Sequence, residues 1–507
     1  MTVEGGRERR TDRRDLVLAA LVASGLLALY FAVQRGRVPS YDGKIAYATA
    51  RAISNGRLHL LPEDDFYRAN LPYSHYGIGM PLVILPLYLL QRALGSTPDL
   101  VVTLACPLLL AATGAVVCLC ARELGWSRRV ALAGALAATL LTQAVEVSQE
   151  LFSEPGISLS TALLVLGILR WRNGRSSGPW LAGIGVGSGL LFRSDSAVLL
   201  GIGLLLLPAF VPWRRLLAEP RAWIGLALPI LAAAAWTAWY AELRDGSLVP
   251  AVYGGTFTTP WFHGLYGLLL SHGKSLFVYN PFLLLAIPGA LVMWRRDRAT
   301  TALLLVLAVA RPLFYARWSA WYGGVAWGPR FLMPTAVPLS LLAMYGISRM
   351  GRLHLAVRVP AALVVAALVV ASGLVGALSV LVPYGSSWTS ATRASPELHL
   401  KGVALRKLVD RQLHAYFYSF GGNSIAYNLK RVTGPNYQVT SLTHFRGGAE
   451  PSGIIALIVA AAAMLIAWML GHGQGRGPPP PPDERSELEI SRAAPSSEPV
   501  PGHTDFV

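Results

Sequence analysis

Gly77-Ile78-Gly79-Met80-Pro81-Leu82-Val83-Ile84-Leu85-Pro86-Leu87-Tyr88-Leu89-Leu90-Gln91-Arg92-Ala93-Leu94 is the stretch on which the topology turns. A helix needs about 17–25 apolar residues to cross a ~30 Å hydrocarbon core. This run is long enough to cross, but its length does not require it, and Pro81 and Pro86 lie inside it. Around it, apolar runs at 16–33, 100–121, 130–146, 152–169, 180–192, 196–211, 222–240, 275–293, 300–315, 331–348, 359–382 and 453–470 each read as a span. The chain therefore reads as an all-α polytopic membrane protein with about twelve transmembrane helices. Composition agrees, because 53% of the 507 residues are hydrophobic and only 14% are charged, against about 25% charged in soluble domains.

Charge sorting decides the ambiguous run. If Gly77–Leu94 does not cross, five short connectors fall on the side of the basic N-terminus: Arg122/Arg128/Arg129, Arg170/Arg172/Arg175, Arg214/Arg215/Arg221, Arg295/Arg296/Arg298 and Arg349/Arg352/Arg358. Short cytoplasmic loops collect Lys and Arg, so the run is expected to be a surface helix on the outer face, with both termini cytoplasmic. The same sorting accounts for the net charge of +17, which in a soluble chain would suggest a nucleic-acid partner; none is expected here.

The expected organisation follows. Residues 1–14 form a basic cytoplasmic N-terminus, and 15–382 a transmembrane domain whose first outer loop is 34–99. Residues 383–452 form an extracytoplasmic loop domain, 453–470 the last span, and 471–507 a cytoplasmic tail. That tail contains Pro478–Pro482 and has the composition of a disordered segment. Met1–Arg14 is too polar for a secretory signal, so the first apolar run is expected to remain as an anchor. Cys106, Cys118 and Cys120 share one apolar segment and read as core residues, without the spacing of a zinc site.

Chemistry-bearing residues gather where spans meet the outer side. Asp42 opens an amphipathic stretch after the first span. It reads either as a helix N-cap or as a carboxylate placed to act as a general base. Glu146, Glu150 and Glu154 recur every four residues and would share one helical face if the third span's helix continued that far. Pro62-Glu63-Asp64-Asp65 reads as a solvated acidic loop rather than a metal site, and no metal-ligating residue is assigned. Lys274 in Ser271-His272-Gly273-Lys274 and Arg330 in Trp327-Gly328-Pro329-Arg330 each precede a span, where a cation serves as an interfacial anchor or as a phosphate ligand. Arg193 interrupts two apolar runs. A cation at that depth costs on the order of 3 kcal/mol unless paired, and Asp195 is its nearest partner in sequence.

Taken together these features resemble the GT-C superfamily of membrane glycosyltransferases that use polyprenyl-phosphate sugars, especially the branch of protein O-mannosyltransferases and the lipid A aminoarabinose transferase. The resemblance lies in the order of motifs over roughly residues 15–300. Asp42 follows the first span, with Tyr47, Arg51 and Gly56 behind it. A surface helix begins at Tyr73-Ser74-His75-Tyr76-Gly77, Glu154-Pro155 opens a span, and a glycine-rich helix runs from Gly183 to Arg193. A Lys-Pro-Pro-like start of the surface helix is replaced here by His75-Tyr76-Gly77.

The resemblance implies an inverting transfer of a sugar from a polyprenyl-phosphate donor to a hydroxyl of a glycan, lipid or protein acceptor, on the outer face of a bacterial plasma membrane. Asp42 would be the base, and Glu154 would orient the acceptor or Asp42. Lys274, Arg330 and Arg193 would hold the donor phosphate, while Tyr47, Arg51, His75, Tyr76, His272 and Trp327 would line the pocket. No obligatory cofactor is implied. The alternative reading is a multi-span transporter or lipid flippase, which predicts ionisable groups near the bilayer midplane and related halves.

Overall fold

The structure, a computed structural model, describes residues 13–38, 40–62, 64, 72–95, 99–249, 256–324, 326–382, 417, 423–434 and 451–472. The expected N-terminal segment up to residue 12, most of the late outer loop and the tail from residue 473 lie outside the described residues.

Among the described residues the regular structure is entirely helical. The first helices are α1 (Arg13–Ala32), α2 (Tyr41–Ser54), α3 (Gly79–Ala93), α4 (Ala105–Glu123), α5 (Arg128–Leu140), α6 (Ala144–Val147), α7 (Glu154–Arg172) and α8 (Ser177–Phe192). They are followed by α9 (Ser194–Leu204), α10 (Trp213–Ala218), α11 (Pro220–Asp245), α12 (Trp261–Leu269), α13 (Leu276–Tyr279) and α14 (Ala286–Trp294). The last are α15 (Arg298–Ala316), α16 (Ala336–Arg349), α17 (Leu355–Leu381), α18 (Ser424–Val432) and α19 (Pro451–His472). Seven helical stretches among the described residues are long and apolar enough to cross a membrane: 13–32, 102–123, 220–245, 298–316, 330–352, 355–381 and 451–471. The other expected spans are helical but shorter, interrupted or less apolar.

Ion pairs fix the two ends of the bundle. Asp15, at the start of α1, pairs with Arg122 at 3.0 Å and with Arg128 at 2.7 Å. Glu123 pairs with Arg170 at 3.2 Å and Arg175 at 3.4 Å, and Arg172 with Asp297 at 2.7 Å. Three of the five arginine-bearing connectors therefore meet at the end where α1 begins. Since α4 also finishes there, the chain between α1 and α4 starts and returns at the opposite end. A single crossing by α3 is incompatible with that parity. The length of α3 agrees, because 15 residues at 1.5 Å rise span only about 22 Å.

Two expected spans are corrected. The run 130–146 is not one helix. The Thr139 carbonyl accepts from the Tyr30 hydroxyl (2.8 Å), and the Gln143 N–H donates to Asn280 Oδ1 (2.6 Å), so α5 ends at Leu140. Glu146 then falls in α6, Glu150 in a turn, and Glu154 starts α7, so the three do not form one helical face. The run 275–293 is divided at Asn280-Pro281 into α13, a 3-10 turn over Pro281–Leu285, and α14, as expected where proline removes a donor and blocks the preceding turn.

Helices α7, α8 and α11 pack through small residues. A Cβ on Gly185 would lie 2.7 Å from the Leu164 nitrogen, and one on Gly183 would lie 2.4 Å from the Leu226 carbonyl oxygen. Backbone contact of this kind favours association where lipid removes the hydrophobic drive between helices. It also fixes the end of α8, on which the site is built. The three cysteines are buried, as expected.

Candidate active site

Asp42 stands in the first turn of α2, but it is not the cap. Ser40 is the N-cap, its hydroxyl accepting from the Gly43 N–H at 3.3 Å. The Asp42 carboxylate is thereby left to make tertiary contacts. Tyr76 donates its hydroxyl to Oδ1 at 2.6 Å, and Arg330 donates from Nη1 to Oδ2 at 2.6 Å. Burial opposes ionisation of this carboxyl, but Arg330, Tyr76 and, at longer range, Arg193 outweigh it and hold its pKa below the usual carboxylate range.

Tyr76 reaches Asp42 because the segment before α3 is pressed onto the end of α8. A side chain on Gly77 would place its Cβ 2.3 Å from the Leu191 carbonyl oxygen, so only glycine permits the approach. The Ser74 carbonyl accepts from Tyr240 (3.2 Å) and Arg244 (3.3 Å), which tie the same segment to α11.

From Asp42 the charges continue inward. Arg330 Nε lies 3.9 Å from Glu154 Oε1, Arg193 Nη1 lies 3.6 Å from the same oxygen, and Arg193 Nε pairs with Asp195 at 3.2 Å. The Glu154 side chain is 2% exposed. The local Arg193–Asp195 pair expected from sequence is present, and Glu154 joins it to Arg330. Aromatic rings wall the row: Arg330 lies 4.3 Å from the Phe152 ring centre and Arg193 lies 4.7 Å from that of Phe331, both within cation–π range. Two residues not anticipated from sequence complete it. Tyr315 donates to Asp195, and Arg311 donates to Ser196 Oγ at 2.9 Å. The legible signal was Arg311 itself, a cation in the middle of an apolar run.

Several expected pocket residues point elsewhere. Successive helical residues turn by about 100°, so Tyr47 and Arg51 lie well away from the Asp42 face of α2. Tyr47 donates to Asp99 at 3.4 Å and packs edge-on against Tyr88, while Arg51 pairs with Asp64. Asp64 is thus not solvated; its side chain is 6% exposed. Glu63 and Asp65 lie outside the described residues. His272 is exposed in the turn after α12. Trp327 is buried edge-on against Tyr279 at 5.3 Å. Lys274 does not present its ammonium to a ligand: the side chain is fully buried and donates to the carbonyls of Gly324 (2.9 Å), Ala326 (2.5 Å) and Gly328 (3.1 Å). The three N–H donors of an ammonium are matched by those carbonyls.

His75 does belong beside Asp42, with its ring centre 4.1 Å from that of Tyr76. Burial, with Arg244 adding to it, outweighs the pull of Asp42 and lowers its pKa, which favours the neutral imidazole. Both rings line a small cleft, with Leu190, Leu191, Trp236 and Tyr240 as its apolar side and Ser194, Thr237 and Arg244 as its polar side. Among the described residues no group of three or more His, Cys, Asp or Glu side chains is placed to hold a metal ion.

Glu146 and Glu150 are buried next to the row, Glu146 within electrostatic reach of Arg330 and Lys274 and Glu150 hydrogen-bonded to Ser40. Arg35 pairs with Glu150 at 3.2 Å and also donates to the carbonyls of Ser379 (2.8 Å) and Val382 (3.2 Å). Burial raises Glu150 to about 8 and Glu146 to about 7, with Arg35 opposing in both.

No family model matches the chain, and no curated protein matches it. Among solved structures it is similar to ArnT from Cupriavidus metallidurans bound to undecaprenyl phosphate, at 14% identity and a TM-score of 0.47, covering 90% of this chain and 76% of that one. The apo state of that protein gives 15% identity and a TM-score of 0.47, covering 89% and 76%. It is also similar to the archaeal oligosaccharyltransferase AglB from Archaeoglobus fulgidus in complex with an inhibitory peptide and a dolichol-phosphate, at 15% identity and a TM-score of 0.42, covering 86% and 64%.

Proposed function

We propose that this chain is an integral membrane glycosyltransferase of the GT-C kind, transferring a sugar from a polyprenyl-phosphate donor to an acceptor hydroxyl on the extracytoplasmic face. The observation that carries the reading is the contact between Asp42 and Arg330 at 2.6 Å, with Glu154 behind Arg330 and Tyr76 opening onto the cleft. A proton acceptor and a guanidinium with phosphate-matching geometry sit side by side where helices end.

In this reading the free site is closed, because Asp42 is held by Tyr76 and Arg330. A donor phosphate competes for Arg330 and draws it off the carboxylate. Losing that neighbour raises the proton affinity of Asp42, which suits it to accept the acceptor's hydroxyl proton. The acceptor oxygen then bonds to the anomeric carbon from the side opposite the phosphate. The bond from that carbon to the phosphate oxygen breaks, the leaving charge falls to Arg330 and Arg193, and the configuration inverts. Base catalysis contributes about 10²–10⁴-fold, and charge stabilisation of the departing phosphate adds to it. Glu154 acts through the arginines, since its close charged contacts are with them rather than with Asp42.

The test is turnover by purified protein with a panel of polyprenyl-phosphate sugars and simple glycoside, lipid and peptide acceptors. Transfer with inversion at the anomeric carbon is expected. Vesicle flux of a polyprenyl lipid without transfer would instead favour the flippase alternative.

A further inference from the structure

We propose that Lys274 is a positioning residue whose ammonium holds the loop carrying Arg330, and so fixes where that guanidinium sits. The inference rests on the reading of Arg330 as the cation for the donor phosphate. Lys274 is fully buried, and a buried ammonium is tolerated only when its donors are satisfied. Here the acceptors are the carbonyls of residues 324, 326 and 328, alternate positions of one short segment that turns toward a single point. Gly328 takes φ +61°, and a Cβ there would meet the Tyr279 ring at 2.8 Å, so this backbone is pressed against α13. Gln143 donates to the Pro329 carbonyl at 3.2 Å, fastening the next residue to the turn after α5. Arg330 follows directly and reaches Asp42 at 2.6 Å. Removing the amino group leaves two buried carbonyls and a partly buried one without their donor, two to six residues before Arg330.

The experiment uses the full chain in detergent. Hydrogen exchange is read over residues 323–330, and affinity for a short-chain polyprenyl monophosphate is measured for wild type, Lys274→Met, Arg330→Gln and the double variant. Lys274→Met is expected to speed exchange in that segment by about tenfold or more, whereas Arg330→Gln leaves it near wild type. Each single variant is expected to weaken phosphate binding by about tenfold or more, and the double variant to be no weaker than Arg330→Gln alone. Unchanged exchange, or losses that add in the double variant, overturns the proposal. Should wild type bind no polyprenyl phosphate, the donor reading fails while the exchange result still decides whether Lys274 holds the loop. Gly328→Ala strains the same segment from its other side and is expected to reproduce both effects; normal exchange and binding in that variant also counts against the proposal.

Discussion

The two ends of this bundle carry the same kinds of side chain and use them differently. Where α1 begins, acids and arginines form discrete groups: Asp15 with Arg122 and Arg128, Glu123 with Arg170 and Arg175, and Asp297 with Arg172. The first ties the start of α1 to a connector, and the other two each join one connector to another. At the opposite end Asp42, Arg330, Glu154, Arg193 and Asp195 alternate in one continuous row. It is walled by aromatics and opens through Tyr76 onto a cleft. Pairs that tie connectors and helix starts together serve assembly and topology. A row in which each arginine is shared between acids can turn one arginine toward an incoming anion while that arginine keeps its other acid.

Substitutions at the two ends should therefore part company. The largest effect on turnover is expected for Asp42→Asn, a loss of about 10²–10⁴-fold with an unchanged melting temperature in detergent; retention of turnover would remove Asp42 as the base. Arg330→Lys keeps the charge but loses the planar fork, and should lower kcat/KM by about 10–100-fold, the equivalent of about 1.5–3 kcal/mol for a charge-assisted hydrogen bond. Wild-type-like kinetics in that variant would mean the fork is not used.

A smaller effect is expected for Tyr76→Phe. Asp42 has a depressed pKa in the folded protein, so its catalytic form persists above the ordinary carboxylate range and is lost only as pH falls below it. The acid limb of kcat/KM, which reports the free enzyme, should lie below that range in wild type. Removal of the Tyr76 hydroxyl should move it upward, with little change at pH 7, where the carboxylate stays ionised; a limb that does not move dissociates Tyr76 from the base. The smallest effect on turnover is expected at the other end, where Asp15→Asn should leave kcat/KM unchanged. It should cost about 2 kcal/mol of stability, less than the 3–5 of a fully enclosed pair because Arg122 is 20% exposed. Its readout is the melting temperature.

How far the sequence foretold this differs between the two ends. The connector arginines were legible because topology depends on charge type and loop length alone, and the ion pairs through Asp15 and Glu123 join the connectors that charge sorting had grouped. Asp42, Glu154, Arg193 and Arg330 were legible as ionisable residues at helix ends. Tyr47 and Arg51 were misplaced, although helical phase would have set them off the Asp42 face of α2. Lys274 was misread for a deeper reason. Sequence shows a cation beside glycines, but not that three carbonyls from a segment fifty residues later converge on it. Asp195 was legible only as a partner for Arg193, since its contact with Tyr315 comes from another helix.

The contrast between the ends is tested most directly by one paired assay: sugar transfer from a polyprenyl-phosphate donor by Asp42→Asn and Asp15→Asn, each purified and measured beside wild type. The account predicts that the Asp42 variant melts like wild type and loses at least about 10²-fold in turnover, while the Asp15 variant melts earlier and turns over normally. Equal turnover in all three proteins would contradict it.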